Sequence, residues 1–189
     1  IKNGILYVRY DDEKIYEVPG DFQNIVIDEG SYQIENQKAA FAYYKDGKVY
    51  LTYSKEGKDD FRTTLLYDGY ASIKTVQFLN DKIGYVLIFY DAAMRQAYGE
   101  ILKTTDGGES FSMVSNGVDI GGSTYFKTDS KLRFMEEGHG YITMPGVGDY
   151  CDLYETKDDG FSFSQVKIEG ITLDSSKEKF DDIFDFYNL

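Results

Sequence analysis

Along most of the chain apolar and polar residues alternate one by one, the period of a half-buried strand, while the three-to-four-residue spacing of an amphipathic helix is scarce. Ile5–Tyr10 opens with such a run. Ala40–Tyr44 and Val49–Tyr53 flank the pair Asp46-Gly47, a pattern that predicts a hairpin closed by a two-residue turn. Further strand-like runs are Ile73–Leu79, Gly84–Tyr90, Gly99–Thr104, Leu132–Met135, Gly140–Met144, Asp152–Thr156 and Phe163–Ile168. Tyr, Phe, Val, Ile and Thr dominate them, the side chains that fit a pleated surface. Asp91–Gln96 is the single helix candidate of note, and it is short enough to be a loop. The pattern predicts an all-β fold.

Superimposed on the alternation is a repeat. Thr104-Thr105-Asp106-Gly107-Gly108-Glu109-Ser110-Phe111 and Thr156-Lys157-Asp158-Asp159-Gly160-Phe161-Ser162-Phe163 share the template Thr-x-Asp-x-Gly-x-Ser-Phe. Each follows an apolar strand, with Gly-Tyr further upstream at Gly84-Tyr85 and Gly140-Tyr141. Two eroded copies then become visible. One runs from Ser54 through Glu56 to Phe61, and the other keeps only Asp11 and the aromatic Tyr16. Taken from residues 11, 56, 106 and 158, the intervals are 45, 50 and 52 residues. In such a unit the Asp carboxylate accepts turn N–H groups, the glycine takes a positive φ, the hydroxyls close further local bonds and the last Phe folds under the turn. The unit holds a bend together and carries no substrate chemistry of its own.

These octapeptides resemble the Asp-box, Ser-x-Asp-x-Gly-x-Thr-Trp, which joins the third and fourth strands of blades in sialidase-like β-propellers. Phe or Tyr stands in every copy where Trp is usual. The segments Asn3–Val8, Tyr16–Gly20 and Gly99–Val114 are similar to uncharacterised Asp-box domains of Firmicutes. Those domains sit outside the cytoplasmic membrane, some of them fused to membrane-embedded sensor metallopeptidases. The resemblance implies a small β-propeller, or part of one, of about four four-stranded antiparallel blades in an extracytoplasmic bacterial setting. With the octapeptides as anchors, the repeats fall near residues 1–30, 31–70, 71–122 and 123–170 of a single domain. The first repeat then has only its last two strands, near 4–10 and 14–18, and Phe180–Tyr187 is the expected source of the missing ones. Such closure removes exposed strand edges.

Composition narrows the function. With 189 residues the chain can bury roughly 70% of its unfolded surface. Lys and Arg number 20 against 33 Asp and Glu, a net charge of −13 that repels nucleic acid. The apolar runs fall far short of a membrane-spanning helix, which needs about 20 residues. The lone Cys151 excludes an internal disulfide and reads as a small half-buried strand residue. The opening at Ile1, with no basic stretch followed by an apolar run, reads as a mature or excised segment.

Candidate chemistry is sparse. A sialidase needs three arginines for its substrate carboxylate, a Tyr–Glu pair and an acid. The chain has Arg9, Arg62, Arg95 and Arg133, two of them beside eroded repeats, so no catalytic residue is assigned. The aspartate pairs at 11–12, 59–60, 158–159 and 181–182 lack the ligand series of a calcium loop and read as solvated turns, so no metal or cofactor is expected. His139 reads as an exposed turn residue without a partner. Most of the 18 tyrosines read as packing between sheets. The connection between second and third strands is tight at Asp46-Gly47 but long at Asp91–Ala97 and Pro145–Asp149, and loop growth on a rigid scaffold is where ligand contacts gather. Arg95, Tyr98, Asp149 and Tyr150 are therefore the candidate ligand residues. The expectation is a non-catalytic extracytoplasmic binding or sensing module for a protein or glycan ligand. The alternatives are a fragment of a glycoside hydrolase and an assembly or scaffolding factor.

Overall fold

The computed structural model describes residues 1–10, 14–35, 38–55, 57–145 and 151–166. Among them all regular structure is strand, sixteen in number, and every pairing is antiparallel. Sheet 1 is the hairpin of β1 (Leu6–Arg9) and β2 (Ile15–Val18). Sheet 2 is a meander of β3 (Tyr32–Glu35), β4 (Lys38–Lys45), β5 (Lys48–Ser54) and β6 (Phe61–Tyr67). Sheet 3 is built on β7 (Ser72–Phe78), β8 (Gly84–Ala93), β9 (Gln96–Thr104) and β10 (Ser112–Ser115). It also carries the hairpin of β11 (Val118–Ile120) and β12 (Ser123–Lys127), whose second strand pairs with the opening residues of β9. Sheet 4 is a meander of β13 (Leu132–Glu136), β14 (His139–Pro145), β15 (Cys151–Thr156) and β16 (Ser164–Gln165).

The sheets stack in chain order, because the central strands are apolar on both faces. On β4, Phe41 and Tyr43 pack against Leu6 and Val8 of sheet 1, while Ala40 and Ala42 turn toward Val86 and Ile88 of sheet 3. On β8, Tyr85, Leu87 and Phe89 face the other way and meet Phe134, Ile142 and Met144 of sheet 4. Tyr85 and Phe134 stack with ring centroids 3.6 Å apart. Such strands read as nearly continuous apolar runs, since both faces are covered.

The first strands of sheets 2, 3 and 4, the edge strands β3, β7 and β13, are tied side by side by a repeated device. The Gln33 amide donates to the Phe78 carbonyl at 3.2 Å and accepts from the Phe78 N–H at 2.6 Å. The Gln77 amide treats Phe134 in the same way, at 2.7 and 2.8 Å. Arg133 holds the corresponding place on β13, one residue before Phe134.

Two expectations are corrected. Asp91–Ala97 is neither helix nor long loop: β8 and β9 run on as an arm closed by the two residues Met94 and Arg95, with φ of 49° and 67°. The β11–β12 hairpin, which the alternation did not reveal, pairs along this arm and satisfies backbone groups that a free loop would leave to water. His139, expected as an unpartnered turn residue, opens β14, and its Nε2 lies 2.9 Å from Glu155 on the neighbouring strand. Burial pushes the Glu155 carboxyl up, but the bonds from His139, Lys157 and Tyr141, with the Lys157 charge, together hold it below its usual range. The expected closing segment Phe180–Tyr187 lies outside the described residues.

Candidate functional site

Each meander has two ends. At one end lie the octapeptide turns, and the two intact copies make the same bonds. Asp106 accepts from Thr104 Oγ1 at 2.8 Å, the Ser110 N–H at 3.0 Å and Ser110 Oγ at 2.6 Å, while Thr104 Oγ1 accepts the Gly108 N–H at 2.9 Å. Asp158 accepts from Thr156 Oγ1 at 2.9 Å, the Ser162 N–H at 2.8 Å and Ser162 Oγ at 2.5 Å, and the Gly160 N–H bonds Thr156 Oγ1 at 2.8 Å. Gly108 and Gly160 have φ of 101° and 94°, where a side chain is strained. Phe61, Phe111 and Phe163 each pack into the junction between two sheets. In the eroded copy Ser54 Oγ turns away and bonds Ala39 N and O across the sheet, at 2.7 and 3.1 Å. Tyr16 packs edge-on against Tyr10, while Asp11 and Glu56 lie outside the described residues.

Beside these turns is a cluster of ionisable groups between sheets 3 and 4. The Lys103 side chain is 10% exposed and its ammonium lies 2.8 Å from both Glu137 and Asp159; Asp159 Oδ1 also accepts from the Tyr85 hydroxyl at 2.5 Å. Burial works against the Lys103 charge, but its two carboxylate bonds outweigh that and raise its pKa. Burial, and the bond to Asp159, push Tyr85 up to about 12. Every group here is committed to another, which makes the cluster a clasp between sheets.

The opposite end is open. There β3, β7 and β13 begin, and a cavity of about 510 Å³ runs along them from the preceding connections to Gln77, near the far end of β7; Glu29, Tyr32, Lys74, Lys131 and Arg133 also border it. A second cavity of about 300 Å³ lies under the β8–β9 arm, walled by Tyr70, Ser72, Phe89, Tyr90 and Asp91. Lys74 and Thr128 border both cavities, so the two adjoin. Tyr70 is 66% exposed and meets Tyr44 edge-to-face at 5.0 Å; Tyr67 stacks on Tyr90 at 5.5 Å. A bulge at Tyr90, between the pairs Phe89↔Gly99 and Asp91↔Tyr98, gives that side chain its place. Burial, with the charge of Glu100 adding to it, raises the Tyr90 hydroxyl above its ordinary range, and burial alone raises Glu100. The lining thus offers neutral aromatic faces beside three cations and three carboxylates, Glu29, Asp91 and Asp129, on a chain of net charge −13.

Of the ligand residues picked from sequence, the two described ones, Arg95 and Tyr98, fall beside this trough rather than in it. Arg95 sits in the arm's turn, and its carbonyl accepts the Thr128 N–H at 3.2 Å, which seats the arm on the cavity rim. Tyr98 is on the exposed face of the arm and borders neither cavity. Asp149 and Tyr150 lie outside the described residues. Arg9 is on β1, Arg62 on β6 pairs with Asp60, and Arg133 alone of the four arginines borders the larger of the two cavities. Lys74, Lys131, Tyr70 and Tyr90 were missed. For Lys74, Lys131 and Tyr70 the usable signal was their position early in the first strand of a sheet or in the connection before it; Tyr90 lies at the bulge in β8, for which the alternation carried no signal. Among the described residues no group of acidic, His or Cys side chains is arranged to hold a metal ion, and no helix is long and apolar enough to cross a membrane. Compared with known proteins, the chain matches no family model and no curated sequence.

Proposed function

We propose that the chain is a non-catalytic binding or sensing module, a small β-propeller of about four Asp-box blades working outside the cytoplasmic membrane of a bacterium. The observation that carries this reading is the trough at the open end, where Lys74, Lys131 and Arg133 stand beside Tyr70 and Tyr90. Tyrosine faces stack on the apolar faces of sugar rings, and a guanidinium matches a carboxylate with two parallel bonds. The ligand class that fits both is a glycan bearing carboxylate groups. Support for the propeller comes from the stacking of sheets in chain order and from the glutamine ties between the sheets' first strands. Support for a binder over a hydrolase comes from the arginines: Arg133 alone of the four borders the trough, so no three of them meet there. The compartment rests on the family resemblance.

The test is calorimetric titration of the full chain with matched neutral and carboxylated oligosaccharides. Carboxylated ones are expected to bind, and Arg133→Ala to weaken binding about 10–100-fold, the value of a hydrogen bond to a charged group. Added salt is expected to weaken binding further. Cleaved products in the titration mixture would favour the hydrolase. Affinity indifferent to Arg133 and to Lys74 would remove the trough from the ligand's path.

A further inference from the structure

The junction between sheets 2 and 3 and the junction between sheets 3 and 4 share one frame. In each, a glutamine ties the phenylalanine of a first strand, and that ring lies over the glycine opposite, Phe78 over Gly84 and Phe134 over Gly140. In each, an octapeptide N–H bonds the bend after the first strand. Gly107 donates to the Lys82 carbonyl at 2.9 Å, and Asp159 to the Gly138 carbonyl at 3.0 Å. This frame gives every member of the ionisable clasp a counterpart. Tyr85 pairs with Lys103 on the strands that lead to one turn, and Ala40 with Tyr53 on those that lead to another. Glu137 lies three residues after Phe134, and Asp81 three after Phe78. The places of Tyr85, Lys103, Glu137 and Asp159 are thus held, one sheet earlier, by Ala40, Tyr53, Asp81 and Gly107.

Two of these exchanges remove bulk. The Tyr85 ring, stacked on Phe134 at 3.6 Å, gives way to a methyl group, and the Asp159 side chain to a hydrogen. A Cβ at Gly107 would lie 2.6 Å from the Asp81 carbonyl oxygen, so the turn cannot fill the space without shifting. Tyr53 does not take the ring's place either, since its centroid stays 6.5 Å from that of Phe78. What results is a half-enclosed cavity of about 110 Å³ bordered by Gln33, Glu35, Lys38, Tyr53, Phe78 and Asp81. Phe78 is accordingly half-buried, whereas Phe134 is 1% exposed. An apolar cavity of roughly 150 Å³ accommodates benzene, so this one has the size of a single ring. Its border carries two carboxylates, Glu35 and Asp81, against the one cation Lys38. Lys38 lies 2.6 Å from Asp81, and Glu35 accepts from the Gln33 amide at 2.9 Å. The amide is uncharged, so the border keeps a net negative charge.

We propose that this cavity binds a free small molecule composed of one aromatic ring and an ammonium group. The ring stacks on Phe78 as Tyr85 stacks on Phe134, and the ammonium meets Asp81 and Glu35. The clasp holds the same two groups, a phenol and an ammonium, as parts of the chain. The cavity shares no bordering residue with the trough, and the proposal stands independently of the glycan reading.

Nuclear magnetic resonance titration of the full chain tests this with three probes that share a phenol ring: tyramine, 4-ethylphenol and 4-hydroxyphenylacetate. Tyramine is expected to bind saturably, with its ring protons close to those of Phe78 and Tyr53. Its affinity should exceed that of 4-ethylphenol at least about tenfold, the value of a hydrogen bond between charged groups, with the carboxylate probe weakest. Ala40→Tyr, which supplies the ring from within the chain, is expected to weaken tyramine binding at least about tenfold. If that variant does not fold, the ring-proton contacts in the unmodified protein decide. No saturable binding of tyramine, or contacts to residues away from Phe78 and Tyr53, overturns the proposal. So does equal affinity for the three probes, which would leave an unselective apolar gap. Undiminished binding to a folded Ala40→Tyr chain overturns it as well.

Discussion

At the residue scale the two intact octapeptides show how a charged group serves structure rather than reactivity. Asp106 accepts three hydrogen bonds within its own turn, and those from Ser110, chiefly its hydroxyl, hold the carboxyl down to about 2 from an ordinary 3.8. The carboxylate form is therefore favoured by folding. A depressed folded-state pKa gives stability that is full above the ordinary carboxylate range and is lost as pH falls through the folded value. Asp106→Ala is expected to cost about 1 kcal/mol at pH 7, a small figure because the turn is solvent-exposed and water competes for every bond. Urea unfolding of both proteins at several pH values measures the difference. It should hold from pH 7 to about 4 and shrink between about 4 and 2. A gap as wide at pH 2 as at pH 7 would mean that the carboxylate's charge contributes nothing to the turn. Asp158, with the same partners, is expected to behave alike, and the two effects to add, since the turns belong to different sheets.

At the element scale, the octapeptides mark strand ends wherever local sequence alone decides the fold. The hairpin at Asp46-Gly47 was legible for that reason: both residues take positive φ, 50° and 83°, which Asp-Gly favours. The β8–β9 arm was not legible, because Met94-Arg95 takes the same positive-φ turn without the composition that signals it. What stabilises the arm is pairing with β12 from a later part of the chain, and no local window contains that information. The trough was hidden for the same reason, since its cations and tyrosines come from three sheets that only stacking brings together. Gly99 is where the arm can be tested. A Cβ there would collide with the Ile88 carbonyl and approach the Phe89 ring to 2.6 Å. That contact sits next to the bulge that aims Tyr90. Gly99→Ala is expected to destabilise the fold by about 1–3 kcal/mol through overpacking. It should also weaken the proposed glycan binding, because the strand must shift just where Tyr90 is placed. Thermal melts and the titration described above would separate the two effects. A melt unchanged from the unmodified protein would show that the arm is looser than its close contacts imply.

At the scale of the whole molecule, the sheets make their extensive contacts with the sheets before and after them in the chain, so stability has the near-linear character of a repeat array. The apolar layers between sheets are non-directional, and the glutamine ties add the directional element that fixes the first strand of one sheet against that of the next. Gln77 bonds both backbone groups of Phe134, a residue 1% exposed, and nothing else on β7 replaces it. Gln77→Ala leaves that N–H and carbonyl without their partner, at about 1–3 kcal/mol for a buried group left unpaired. Sheet 4 meets the rest of the described structure through this junction, so the cost is expected to fall there first. Amide exchange on the full chain should quicken in β13, β14 and β15 while β4 and β5 keep their protection. Gln33→Ala should act one junction earlier, loosening the contact between sheets 2 and 3 at Phe78. If either substitution instead quickened exchange by the same factor in all four sheets, the molecule would open as a single unit. The stacked sheets would then be one cooperative core rather than coupled neighbours.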